Sequence, residues 1–346
     1  MTAIVAHPSD HAALPAYKQV DETKYDLDWA DLVTLDLSKF DQPGGKEALA
    51  KQLFDAIQNI GFFYVINFEL TQEEVDRQFA IGKSFFELST EEKLKYRADL
   101  ANGGYNGYKP LRLREIKPGI FDNIEIYNIL KFILELERPQ PGVINEHKVE
   151  IERFARQIHS NIALQLLTLF AIILELPEDH FTKSHRYDEA VSDCHLRYMK
   201  SLTLLFRQPV AALQVLTPNG NWKWVKPYDG SITVNVADAL QFLTNGFLKS
   251  SVHRVVAPPP DQAGITRLGV LYFVRPENDL ELKPVESSVL ERLGYKPDES
   301  SQLGAGITAG EWVKARVKAG VDRGEKARSE VSEQEIVKGV KAKYYD

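Results

Sequence analysis

The hydrophobic pattern changes its period at Asp193, and no other feature limits the fold as much. From there to Pro276 the chain contains HLRYMKSLTLLF, VAALQVL, WKWV, SITVNV, ALQFL, HRVVA and RLGVLYFVRP, separated by Pro, Gly, Asn and Asp. Successive side chains on a strand face opposite ways, so these runs predict many short strands. Regularly spaced short strands imply a sandwich or barrel of the jelly-roll type. The segment before them has helical spacing instead. Glu146–Leu174 carries Val149, Phe154, Ile158, Ile162, Leu166 and Leu169 and predicts the longest helix, packed against the strands. Further upstream, residues 31–100 predict a small α/β unit. Its parts are a strand at Val33–Leu37, a helix over Lys46–Ile60, a strand at Gly61–Asn67 and a helix behind Thr71. Thr71 and Glu74 have the spacing of a capping box, in which each side chain satisfies the other's backbone N–H. A further short helix starts at Ser89, residues 102–108 are turn chemistry, and Asp122–Phe132 is extended.

The predicted fold class is α+β: a distorted double-stranded β-helix (jelly roll) core with flanking helices and an N-terminal α/β region. The expected boundaries are an arm over 1–30, an N-terminal region over 31–140 and a helical connection over 141–189. A jelly roll over 190–290 and a charged helical tail over 291–346 complete the chain.

Bulk chemistry narrows the function. The 346 residues are 44% hydrophobic and 26% charged, enough for a large core in one or two domains. A net charge of −7 without a basic stripe argues against nucleic acid as a partner. Cys194 is the only cysteine, so the chain cannot form an internal disulfide and a reducing, cytoplasmic setting is expected. The opening MTAIVAHPSDHAALPAY lacks the basic and apolar regions of a secretion signal. The longest apolar stretch, Ile162–Leu174, is too short to span a membrane. The expected partner is a small-molecule substrate, with no nucleic acid, no membrane and a monomeric state.

Two residues stand out in the strand-rich region. His253 follows a strand–turn–strand pattern that includes Asp238, Gln241, Asn245-Gly246 and Lys249-Ser250, and it precedes Arg254-Val255. Arg267 comes fourteen positions later, at the head of the apolar run Leu268–Val274. A guanidinium entering a buried strand needs an anion, and its planar fork suits a carboxylate. The combination resembles the distal half of the site in the Fe(II)/2-oxoglutarate-dependent dioxygenases. Gly61–Asn67 is similar to the N-terminal signature of that family's isopenicillin-N-synthase-like branch. Phe85–Ser89, Glu91–Tyr96, Tyr105–Pro110 and Asp122–Asn128 resemble a fungal subgroup of it. The resemblance covers roughly residues 30–290. It implies Fe(II) and the cosubstrate 2-oxoglutarate, His253 as a metal ligand and Arg267 as the cosubstrate anchor. The implied reactions are hydroxylation, desaturation or ring oxidation of a small molecule, such as a heterocycle or a secondary-metabolism intermediate. The family pattern is Arg-x-Ser, whereas this chain has Arg267-Leu268-Gly269, which removes one hydroxyl contact worth about 1–3 kcal/mol.

One half of the implied site is missing. A mononuclear oxygenase iron needs two imidazoles and a carboxylate on one face. None of the eight histidines begins a His-x-Asp. The family places that motif before a strand like Ser201–Phe206, yet His195–Lys200 stands there and resembles the strand one connection earlier. The simplest account is an internal deletion between Lys200 and Ser201, whether real or introduced by a splice or gene-model fault. His195-Leu-Arg197 has the right spacing but offers a cation. Asp193-Cys-His195 is a reversed pair that shares one strand face and is the remaining substitute. His185 and Asp188 are expected in a surface loop, and the histidines at 7, 11, 147, 159 and 180 are expected in solvent. Two functions stay open: an Fe(II)/2-oxoglutarate oxidoreductase, or a non-catalytic remnant or binding protein with that fold. No nucleophile–base constellation, phosphate loop or dinucleotide fingerprint supports a third.

Overall fold

The computed structural model describes residues 14–200, 206–295, 306–322 and 331–345, apart from positions 114, 118, 208, 338 and 339. The first elements are β1 (Val33–Asp36), α1 (Gly45–Asn59), β2 (Phe62–Ile66), α2 (Gln72–Glu87) and α3 (Thr90–Leu94). The short strands β3 (Gly107–Lys109), β4 (Glu115–Lys117), β5 (Ile120–Phe121) and β6 (Glu125–Leu130) follow. Helices α4 (Gly142–Glu146), α5 (Lys148–Ile158) and α6 (Leu164–Ile173) lead into the strand-rich part. That part holds β7 (His195–Lys200), β8 (Leu213–Leu216), β9 (Trp222–Trp224), β10 (Ile232–Asn235), α7 (Asp238–Leu243), β11 (His253–Val255) and β12 (Leu268–Phe273). The chain continues through α8 (Ser288–Arg292), α9 (Ala309–Asp322), β13 (Val331–Val337) and β14 (Val340–Tyr345).

Three sheets organise the molecule. An antiparallel sheet runs β12-β7-β6-β3, a second runs β11-β8-β9, and a third places β2 between parallel β1 and antiparallel β10. Alternation on β12 divides its side chains between two cores. Val270 joins Tyr198, Phe79, Phe85 and Phe154 in the larger, helix-covered core, with Leu268 and Tyr272 packed against it. Leu271 joins Met199, Leu213, Val215, Phe62 and Tyr64 in a smaller core between the sheets, with Phe273 packed on its edge. Each such buried side chain contributes about 1.5–3 kcal/mol of hydrophobic stabilisation.

The capping box forms as the spacing predicts. Glu74 N–H donates to Thr71 Oγ1 at 3.2 Å, and Thr71 N–H donates to Glu74 Oε2 at 2.9 Å. Other expectations need correction. ALQFL is not a strand but the helix α7. Thr244 Oγ1 donates to the Leu240 carbonyl at 2.7 Å, and Gln241 Oε1 accepts from Ser250 N–H at 2.6 Å, so local bonds close a helical turn. Phe242 is drawn toward Trp312 of α9, with ring centroids 4.9 Å apart. The tail is not wholly helical: after α9, β13 and β14 pair antiparallel, with Val337 opposite Val340.

The long helix is interrupted. A π-helical segment, His159–Ala163, joins α5 to α6, and Leu164 N–H donates to the His159 carbonyl. Val149 was expected on the buried face but is 80% exposed. Ile151, three residues before Phe154, takes that place in the core. His147, His159 and His185 are buried rather than solvated. Hydrogen bonds offset the cost of burying them. His159 bonds the Tyr272 hydroxyl at 3.1 Å and donates to the His185 carbonyl at 2.7 Å, while His185 donates to the Phe181 carbonyl at 2.7 Å. His7, His11 and the expected strand segment at 201–205 lie outside the described residues.

Candidate active site

Strand β11 positions His253. It pairs with β8, so His253 sits opposite Val215 and Val255 opposite Leu213. Residues two apart share a strand face. Val255 packs on the smaller core, and the His253 ring lies edge-on to Phe62 of that core at 5.3 Å. Its Nδ1 is 3.0 Å from the Ser251 carbonyl. A carbonyl only accepts, so the proton is on Nδ1 and the lone pair on Nε2. Burial lowers the pKa further, keeping the ring neutral. A neutral imidazole oriented through Nδ1–H is the form in which histidine binds a metal.

Arg267 lies just before β12 and is 6% exposed. Its Nε and one Nη are buried with no hydrogen-bond partner among the described residues. Burial lowers the guanidinium pKa to about 9. It lines a small cavity with Tyr17, Phe79, Arg207, Val210 and Thr266. The N-terminal arm closes one side of that cavity, where Tyr17 stacks on Phe79 at 4.9 Å. Gln19, Glu22 and Asp229 hold Arg207. The arm and Arg207 escaped the sequence reading, which treated residues 1–30 as irregular. Arg207, close in sequence to the strand VAALQVL, was the available signal. His253 does not line this cavity, and no described contact joins it to Arg267.

The reversed pair behaves differently from a ligand pair. The Asp193 carboxylate accepts from Tyr105 Oη at 3.0 Å and from Asn278 Nδ2 at 3.1 Å. His195 donates through Nδ1 to the Asp193 carbonyl at 2.8 Å and stacks on Phe273 at 4.6 Å. His185 is turned inward, and Asp188 pairs with Arg156. Among the described residues, no group of three or more His, Cys, Asp or Glu side chains could hold a metal ion.

Comparison with known proteins decides the family. Residues 32–148 match the model described as non-haem dioxygenase in morphine synthesis N-terminal, and residues 180–276 match the 2OG-Fe(II) oxygenase superfamily. A 2-oxoglutarate-dependent dioxygenase of a Dothideomycetidae species is 30% identical over 290 residues, covering 75% of this chain and 86% of that protein. This chain belongs to the 2OG-Fe(II) oxygenase superfamily. A UPF0676 protein of Schizosaccharomyces pombe is 32% identical over 315 residues, covering 82% of this chain and 90% of the relative. Among solved structures, the full-length Neurospora crassa protein in complex with alpha-KG and 5-formyluracil superposes with a TM-score of 0.70. It is 22% identical and covers 85% of this chain and 99% of its own. That likeness shows the oxygenase fold, with its double-stranded β-helix core. The alignment with the S. pombe protein spans 315 residues, more than the 82% of 346 that this chain supplies. The relative therefore has residues inside the aligned span with no counterpart here. The superfamily's chemistry is oxidoreduction, and its cofactors are Fe(II) and 2-oxoglutarate. No helix among the described residues is long and apolar enough to cross a membrane.

Proposed function

We propose that this oxygenase chain retains the cosubstrate-anchoring part of its site and lacks most of the metal-holding part. The parent reaction is hydroxylation, desaturation or ring oxidation of a small molecule in the cytoplasm, by a monomer. Arg267 is the anchor for the distal carboxylate of 2-oxoglutarate, and His253 is the surviving iron ligand. The observation that carries this reading is the buried Arg267, whose Nε and one Nη have no hydrogen-bond partner among the described residues. A guanidinium buried without an anion is costly, and a carboxylate would give it a charge-assisted hydrogen bond.

Iron does not fit the described residues. His253 is one imidazole, Asp193 is engaged by Tyr105 and Asn278, and the facial triad needs two more ligands. No step is therefore assigned to the metal, and the chain as written has little or no turnover. The missing triad also favours a second reading, a non-catalytic 2-oxoglutarate-binding protein with the oxygenase fold.

Titration calorimetry with 2-oxoglutarate, without iron, tests the anchor. Saturable binding should weaken at least about tenfold in Arg267→Gln, because a hydrogen bond to a charged group is lost. Equal affinity in both proteins would remove Arg267 from the site. Succinate release with Fe(II), ascorbate and 2-oxoglutarate tests the inactivity. Robust turnover by the unaltered chain, abolished in His253→Ala, would show that other residues complete the triad.

A further inference from the structure

The N-terminal arm covers the Arg267 cavity without belonging to any helix or sheet: residues 14–28 contain neither. Tyr17, Gln19 and Val20 line the cavity from the arm, and Arg207 and Arg267 line it from the strand-rich part. The enclosed space is about 20 Å³. A water molecule needs about 10–15 Å³ of such space, so water fits and a five-carbon dicarboxylate does not. The backbone of the arm is nearly unattached. Among the described residues, its backbone–backbone bonds to the rest of the protein begin at Asp28. There Trp224 N–H donates to the Asp28 carbonyl at 2.9 Å, and Ala30 N–H donates to the Trp224 carbonyl at 2.7 Å.

Upstream of that point, side chains hold the arm down. Tyr17 stacks on Phe79. Gln19 Nε2 donates to Asp76 Oδ1 at 3.1 Å, and Gln19 Oε1 accepts from Arg207. The Glu22 carboxylate pairs with Arg207 at 2.6 Å. Gln262 Nε2 donates to the Asp21 carbonyl at 2.9 Å. Asp261 accepts from Thr23 Oγ1 at 2.9 Å and from Lys24 N–H at 2.8 Å. Arg207 has a further partner outside the arm, Asp229, so lifting the arm would not leave it without an anion. A segment held by one ring stack and a few surface polar bonds opens at far lower free energy than the whole fold. Lifting it would also release Arg207 from Glu22 and Gln19, adding a second guanidinium to the cavity of Arg267.

We infer that residues 17–24 are a latch over the Arg267 cavity, and that they undock from Phe79, Asp76, Arg207 and Asp261 to admit a dicarboxylate. Glu22 is the part of the latch that an incoming carboxylate replaces, because both are anions suited to the Arg207 fork. The fixed end is the pairing of Asp28 and Ala30 with Trp224, so the arm swings without disturbing the sheets. The inference rests on the reading proposed above for the identity of the anion, 2-oxoglutarate. The latch itself rests on the contacts of the arm and on the size of the space beneath it.

Phenylglyoxal, an arginine reagent too large for the closed cavity, tests the latch on the full chain. The initial rate of adduct formation at Arg267 is followed by peptide mass spectrometry, in the unaltered protein and in a variant carrying Tyr17→Ala and Glu22→Gln. Loss of the ring stack and the ion pair should raise that rate at least about tenfold. Two other arginines serve as references. Arg292 on α8 is 60% exposed, and Arg138 donates to the Tyr96 carbonyl at 3.0 Å. Neither touches the arm, and their rates should stay the same. Equal rates at Arg267 in the two proteins overturn the inference. A matching acceleration at Arg138 also overturns it, because the arm would then stabilise the whole fold instead of gating one cavity. Added 2-oxoglutarate should slow labelling of Arg267 in both proteins. Absence of that protection, with the acceleration intact, would remove the 2-oxoglutarate anchor and leave the latch standing.

Discussion

The surroundings of Arg267 and those of His253 differ in completeness. Arg267 lines a small cavity whose walls come from the arm, α2 and the residues around the starts of β8 and β12. His253 is held by the Ser251 carbonyl and the edge of Phe62, and no group of three or more possible metal ligands occurs among the described residues. On the proposed reading, anchoring a cosubstrate and holding a metal are separable tasks: the first would rest on one guanidinium in a small cavity, the second on several side chains that the sequence after β7 does not supply.

The comparison is broken or sharpened most strongly by restoring that segment. Insertion of a Gly-His-Thr-Asp-Phe-Gly motif with its loop before Ser201 should convert a chain without detectable succinate release into one with iron-dependent turnover, lost again in His253→Ala. A restored chain that stays inactive, with iron bound by spectroscopic titration, would put the fault elsewhere. A smaller effect is expected at the complete end. Arg267→Met replaces a buried cation, two of whose nitrogens lack a partner among the described residues, with an apolar side chain and should raise unfolding stability by about 1–3 kcal/mol while abolishing 2-oxoglutarate binding. Chemical denaturation measures it, and a loss of stability would mean that Arg267 has a partner in the fold.

The pH response comes next. His159, His185, His195 and His253 all have pKa values lowered by burial, His185 to about 4. Each is neutral when folded and takes up a proton on unfolding near pH 6.5, so the unfolded state binds more protons between the two values. Stability should be level above about pH 7 and fall as the pH drops, with His185 alone contributing ~2 kcal/mol of loss by pH 5. Melting curves from pH 8 to 5 check this, and His185→Gln should flatten the slope. The smallest effect is a control remote from both ends. Thr71→Ala removes the cap of α2 and should cost ~1 kcal/mol without changing 2-oxoglutarate affinity.

Legibility followed the range of the interactions. The capping box is a contact between residues three apart, so Thr71 and Glu74 declare it locally. The strands around β7, β8, β11 and β12 were visible because one face of each is buried, which imposes a period of two. In ALQFL, apolar residues at 239, 240, 242 and 243 fit a helix as well as a strand, and the bonds that decide it come from Thr244 and Ser250. His159 was misjudged because its partners, the Tyr272 hydroxyl and the His185 carbonyl, lie far from it in sequence. His253 and Arg267 were proposed from motif spacing, which is local; the contact of Arg197 with the Phe273 ring was not readable, because it exists only once β12 is laid against β7 in register.

The pairing of β2 has a consequence for biosynthesis. Its one neighbour, β1, emerges from the ribosome beside it, but its other, β10, is translated only after most of the chain. Until then the edge of Phe62–Ile66, among the most apolar segments of the molecule, lacks its second partner. Closing that gap is a long-range event, and such pairings form slowly. The nascent chain therefore spends the synthesis of α2 through β9 with a sticky edge exposed, and its yield in a cell depends on what shields that edge as much as on the stability of the finished fold.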